Sequence, residues 1–270
     1  MKHQILLALA LSGSMARAET SLGPGPFPVF NQAYQETYDA DVLTDILAQA
    51  RGAYVLLDPF GEEPADWPRA ISDLHANGNA VGAYISIGTG EDWRPDFKAL
   101  QPFLVTKPWD QWAGEYFVTS PKGALPIMQA RIDKVAAWGF DWVEFDNMDF
   151  AADEQSRATY GFAPTPDQGT AYFQALCAHA HAKGLRCMAK NITDGAADFD
   201  GVLYESYPDD KSWWDQDGGI GFAKAGKPVI IVHYAESDCA GVLADYRAIY
   251  GASVSFLCED AALKHYVRLN

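Results

Sequence analysis

Residues 139–149 read Gly-Phe-Asp-Trp-Val-Glu-Phe-Asp-Asn-Met-Asp, a stretch that starts as an apolar strand and ends in a cluster of acids. Strand alternation puts Glu144 and Asp146 on one face, about 6–7 Å apart. Two carboxylates that close repel each other and tend to raise one pKa. A protonated acid beside an ionised partner is the requirement of acid–base catalysis. The plain alternative is a solvated strand end followed by an acidic turn. A further carboxyl, Glu205, follows the apolar run Gly201-Val202-Leu203-Tyr204. Desolvation there is expected to favour its protonated form. Two such carboxyls facing each other across a bound sugar are the usual equipment of glycoside hydrolysis. The competing reading pairs Glu205 with Lys190 as a buried ion pair, and the two readings are compatible.

These residues need a frame that aims them at one place. Eight apolar runs read as strands: 27–31, 53–58, 80–87, 142–146, 186–191, 201–207, 229–234 and 253–258. Most are apolar throughout, as strands buried on both faces should be. Helical stretches alternate with them: 42–51, 65–77, 127–138, 165–183, 240–250, and a last one from about Asp260. Thr165-Pro166-Asp167-Gln168 has the form of a capped helix start. Eight β/α alternations predict an α/β chain folded as a single-domain (β/α)8 TIM barrel over residues 27–270. No Gly-rich phosphate loop follows the first strand, which argues against an open doubly wound sheet. Two long insertions, 89–120 and 150–164, follow strands three and four and so belong to the barrel's active face.

Read at their C-terminal ends, the strands deliver Tyr84 and Ser86, then Glu91-Asp92-Trp93-Arg94; Glu144, Asp146, Asn147 and Asp149; Lys190 and Asn191; Tyr204, Glu205, Ser206 and Tyr207; His233, Tyr234 and Glu236; and Glu259 and Asp260. An oxygen-only set at Glu144, Asp146 and Asp149 could hold Mg²⁺ or Ca²⁺; the expectation is nevertheless no metal and no cofactor. His179 and His181 lie two apart on a helix and face different ways, so they read as surface residues. His233 is open between facing the site and packing. Neither G-x-S-x-G nor H-E-x-x-H occurs.

The chain has 270 residues, 49% hydrophobic, with a net charge of −16. That charge disfavours nucleic acid and anionic membranes and suits neutral or cationic partners. Residues 1–18 read as a secretory signal with cleavage near Ala18, and 19–26 as a flexible leader. Its apolar run is too short to span a bilayer. Removing the signal leaves eighteen basic residues against 36 acidic. The exported protein, periplasmic or extracellular, is expected to be a monomer without membrane insertion. Four cysteines, Cys177, Cys187, Cys239 and Cys258, allow three pairings. Cys177–Cys187 and Cys239–Cys258 are preferred because each joins neighbouring elements of the barrel, with buried free thiols as the alternative.

Several ordered segments resemble glycoside hydrolase family 114, the endo-α-1,4-polygalactosaminidase-like TIM-barrel proteins. They are Ala83-Tyr84-Ile85-Ser86-Ile87-Gly88, Glu91-Asp92-Trp93-Arg94-Pro95-Asp96, Trp112-Ala113-Gly114-Glu115, Ile127 to Asp133, Val143 to Asp149, and Lys190-Asn191. The resemblance implies cleavage of α-1,4-linked galactosamine-containing polysaccharide or oligosaccharide, a polymer that is cationic when deacetylated. It implies Asp146 as nucleophile and Glu205 as acid/base if configuration is retained. Tyr84, Asn147, Asp149, Lys190 and Tyr234, with Trp93, Arg94, Glu144 and Asn191 of the matching motifs, would bind the sugar. Around Glu205 the sequence reads Tyr-Glu-Ser-Tyr where the family pattern has Asn-Glu and then Gln-Cys. That difference, with the altered first strand, motivates the alternative of a non-catalytic carbohydrate-binding barrel in an envelope polysaccharide system. A chitinase-like reading ranks below both, because strand four ends its motif in Asp149 rather than Glu.

Overall fold

The computed structural model describes residues 22–33, 40–61, 66–206, 216–260 and 266–269. The expected signal segment, the start of the leader and Tyr207 lie outside the described residues. In chain order the strands are β1 Val29–Asn31, β2 Tyr54–Leu57, β3 Ala80–Ser86, β4 Thr89–Glu91, β5 Glu115–Phe117, β6 Trp142–Asp146, β7 Arg186–Lys190, β8 Gly201–Ser206, β9 Val229–Tyr234, β10 Ser255–Glu259 and β11 Tyr266–Leu269. The helices are α1 Ala40–Gln49, α2 Trp67–Ala76, α3 Phe97–Leu100, α4 Pro121–Trp138, α5 Glu154–Tyr160, α6 Pro166–Ala182, α7 Gln216–Lys224 and α8 Cys239–Tyr250.

Eight strands pair in parallel in the order β1-β2-β3-β6-β7-β8-β9-β10, with helix between each consecutive pair except β7 and β8, which a loop over residues 191–200 joins; this is the (β/α)8 arrangement with one helix replaced by a loop. β11 adds antiparallel to β10 over residues 266–269, which the helix expected from about Asp260 would have taken in, while residues 261–265 of that expected helix lie outside the described residues. β10 would otherwise present an unpaired row of donors and acceptors, and Tyr and Val at 266 and 267 are residue types that favour strands. The seam with β1 is held nearby: the Phe27 amide donates to Ser255 Oγ at 3.0 Å, and the Arg268 guanidinium lies 4.0 Å over the Phe30 ring.

Alternation sorts the strand residues into two cores. Val29, Tyr54, Leu56, Trp142, Met188, Leu203, Ile230, Val232 and Leu257 fill the barrel interior. Their neighbours in sequence pack outward against the helices. One more step along the inner face reaches the strand ends, where Asp146, Lys190, Glu205, Tyr234 and Glu259 replace the apolar residues.

Both insertions carry their own structure. The first contains α3 and the antiparallel pair β4–β5, with Glu91 opposite Glu115. The second contains α5, capped by Asp153. α6 has the expected capping box between Thr165 and Gln168. α4 begins six residues before the expected start, capped by Ser120 with Pro121 in its first turn, and carries Pro126 inside.

Candidate active site

Lys190 organises the mouth of the barrel. Its ammonium lies 3.0 Å from Asp146 Oδ1, 3.0 Å from Glu205 Oε2 and 3.8 Å from Glu144 Oε1. The facing oxygens of Asp146 and Glu205 are therefore no farther apart than twice 3.0 Å. Burial works against a charged lysine, but the three carboxylates outweigh it and hold Lys190 above its ordinary range. Each of the two outer acids also takes a phenol. Tyr84 donates to Asp146 Oδ2 at 2.8 Å, and Tyr234 donates to Glu205 Oε2 at 2.9 Å. Burial, reinforced by the facing carboxylates, raises both phenols well above normal tyrosine values, so they stay donors.

Access is graded. Glu144 and Lys190 are sealed in, whereas the side chains of Asp146 and Glu205 keep 15% and 28% of their surface. Glu144 supports Lys190 from below, and Asp146 and Glu205 meet solvent. An ammonium already neutralises the place where a divalent ion would sit among Glu144 and Asp146.

Backbone geometry at the rim fixes these side chains. Asn147, Asn191 and Ala235 each have positive φ (55°, 66° and 54°), and each directly follows a barrel strand. Left-handed backbone outside glycine is tolerated best by Asn. Here it turns the Asn147 amide back to donate to Asp146 Oδ1 at 2.8 Å. Asn191 Oδ1 accepts the Glu205 amide at 3.0 Å, so the expected sugar ligand also sets the strand end carrying Glu205. Asp149 stands at the exposed edge; loss of hydration among the crowded rim and the charge of Asp146 push its carboxyl up to about 6.

Arg94 spends its donors within the protein. Its guanidinium forks Glu91 (Nε to Oε2 2.8 Å) and Asp58 (Nη1 to Oδ1 2.8 Å, to Oδ2 2.7 Å), and the side chain is 3% exposed. Burial opposes that charge, but Glu91 and Asp58 outweigh it. Arg131 of α4 forks Asp96 and lies 3.7 Å from Glu91. The five residues tie the first insertion to β2 and α4. Trp93 beside them is 45% exposed, and Trp112 across the hairpin is 51% exposed. The motif acid Glu115 is buried next to Thr89, and burial with the charge of Glu91 pushes it up to about 8. Glu259, inward on β10, is pushed up to about 8 by burial. Glu115 stood outside the expected rim, with the Trp-Ala-Gly-Glu motif as its one signal, whereas Glu259 was expected at a strand end but given no role.

The remaining candidates serve structure. His233 packs outward against Tyr246 and Phe256. His179 and His181 pair with Asp133 and Asp200 at the surface, each at 2.8 Å. Disulfides join Cys177 of α6 to Cys187 of β7, and Cys239 of α8 to Cys258 of β10, with Cα separations of 5.7 and 6.0 Å. His181 lies beside the first, but both sulfurs there are already bonded. Among the described residues no helix is long and apolar enough to cross a membrane.

Comparison with known proteins places these features in context. Residues 28–269 match the model of glycoside-hydrolase family GH114. Aspergillus fumigatus Ega3, crystallised in complex with galactosamine, superposes with a TM-score of 0.71 at 21% identity, over 95% of this chain and 100% of that one. The glycoside hydrolase domain of PelA from Pseudomonas aeruginosa gives 0.63 at 15% identity, over 89% and 98%. At these identities the likeness speaks for the fold. An uncharacterised protein of Deinococcus radiodurans is 32% identical over 100 residues, 35% of this chain and 32% of that relative. The matched stretch spans about a third of that relative's length.

Proposed function

This chain belongs to glycoside-hydrolase family GH114, and from that premise we propose that it cleaves α-1,4-linked galactosamine-containing polysaccharide, with Asp146 as nucleophile and Glu205 as acid/base. The observation that carries the reading is the sharing of one ammonium by both carboxylates, each 3.0 Å from Lys190 Nζ. Retaining glycosidases hold their carboxyls about 5–5.5 Å apart and inverting ones about 6.5–9.5 Å. The short bridge through Lys190 favours retention.

In the first step Glu205 gives its proton to the glycosidic oxygen as the C1–O bond breaks, and Asp146 Oδ forms a bond to C1. In the second, water adds to C1, Glu205 takes its proton, and the Asp146–C1 bond breaks. Tyr84 and the Asn147 amide fix the attacking carboxylate, and Tyr234 fixes the proton donor. Asp149, Asn147 and Asn191 border the mouth and are proposed sugar contacts. Trp93 and Trp112 offer exposed ring faces, which stack well on pyranose surfaces. The export and monomeric state expected from the sequence belong to the same proposal, and the disulfides suit an oxidising compartment.

Asp146→Asn and Glu205→Gln should each remove at least a thousand-fold of the reducing-end release from de-N-acetylated galactosaminan, an order-of-magnitude loss typical of a carboxylate in the reacting set. Circular dichroism should match the wild type. Near-normal turnover in either folded variant refutes the assignment.

A further inference from the structure

A chain of hydrogen bonds runs from the first insertion to the carboxylate of Asp146. Thr89 Oγ1, at the foot of β4, lies 2.6 Å from Glu115 Oε2 on β5 and 2.6 Å from Ser86 Oγ at the end of β3. The Asn147 side-chain amide donates to Ser86 Oγ at 3.0 Å and to Thr89 Oγ1 at 3.3 Å. The Asn147 backbone amide then donates to Asp146 Oδ1. Ser86 and Asp146 are register partners on neighbouring strands, so the route is short. Ser86, Thr89 and Glu115 are buried.

The link at Asn147 is the one that needs support. Its left-handed backbone costs about 1 kcal/mol or more in a residue other than glycine. It persists because the surroundings determine it twice. The side chain is held by Ser86 and Thr89, and Gly88 approaches so closely that an added Cβ would collide with the Asn147 carbonyl oxygen. Releasing the side chain frees the backbone to relax, and the relaxed amide no longer points at Asp146.

We infer that Thr89 and Glu115 are positioning residues for Asp146, acting through Ser86 and Asn147, so that the folded insertion hairpin is required to aim the nucleophile. This rests on the glycosidase reading for its kinetic consequence and on the geometry alone for its structural one. Glu115 suits the end of such a chain. Burial and the charge of Glu91 push its carboxyl up to about 8, so near neutrality it carries a proton and places no further anion beside Asp146. The groups facing it are Glu91, Thr89, Asp146 and Lys190.

The test is Thr89→Val, which keeps shape and removes the hydroxyl. Small misplacement of a reacting group costs up to about a hundred-fold. The expected result is a fall in kcat of roughly ten- to a hundred-fold, with KM on galactosaminan within two-fold and recovery in Thr89→Ser. Ser86→Ala carries the same expectation should Thr89→Val not fold. A folded variant with wild-type kcat, or a change confined to KM, overturns the inference. A crystal structure of either variant supplies a readout that needs no turnover: the Asn147 amide should have left Asp146, and an unchanged contact overturns the inference. A wild type that releases no reducing ends would instead count against the glycosidase reading alone.

Discussion

The density of ionisable side chains inside this barrel has a cost at particular residues. Glu259 is buried on β10, held in place by its strand and pushed up to about 8 from an ordinary 4.5. An unfolded chain ionises that carboxyl near 4.5 while the folded chain keeps it protonated to about 8. The folded state therefore binds the extra proton across that window, and stability falls as pH rises through it. Below the window both states are protonated and nothing is lost. Glu259→Gln removes the titrating group while keeping its shape. Its melting temperature should exceed the wild type's by a margin that grows from pH 4.5 to pH 8. A margin independent of pH would contradict the argument. Lys190 is the opposite case, because its charge is matched by three acids and its burial is compensated.

At the scale of elements, the barrel strands persist because their apolar inner residues interlock, while β11 persists because it covers an edge. Ending the chain after Asp260 should lower the melting temperature and raise the apparent mass in light scattering, as bared β10 edges pair with one another. An unaltered mass and melting temperature would show that β11 guards nothing. The eight parallel strands were legible in sequence because long apolar runs stopped at Gly or at polar clusters. β4 and β5 were not, since three-residue strands carry almost no periodicity. The start of α4 was hidden by Pro126, which reads as a breaker but is accommodated inside the helix. The inward acids Glu144 and Asp146 were legible through alternation, and Glu205 as the acid that closes an apolar run. Arg94 pairs with Glu91 of its own segment and with Asp58 after β2, and beside them Asp96 pairs with Arg131 of α4, so the network joins three separate segments. No local pattern announces such a network, and an arginine in a motif near the rim reads as a ligand until its donors are accounted for.

For the molecule as a whole, the net charge of −16 is the dominant long-range property. A cationic polysaccharide is drawn to such a surface, and salt screens the attraction over about 10 Å at 0.1 M. Raising sodium chloride from about 10 mM to about 0.5 M should increase KM for de-N-acetylated galactosaminan several-fold, an order-of-magnitude figure for screened steering. KM for the fully N-acetylated polymer should stay within two-fold. Equal salt responses for the two polymers would remove electrostatics from substrate recognition. The two disulfides act at the same scale, each stapling a helix to a neighbouring strand.

One cation placed between two carboxyls behaves as a balance. On the proposed mechanism Asp146 ceases to be an anion when it bonds to the sugar, and the ammonium of Lys190 keeps Glu144 and the newly ionised Glu205 as its counterweights. Its charge favours the carboxylate that Glu205 becomes on giving up its proton, so the ammonium exchanges one anionic partner for the other as the first step proceeds. On that reading the lysine couples the fate of one carboxyl to the ionisation of the other, and both half-reactions turn about one fixed charge.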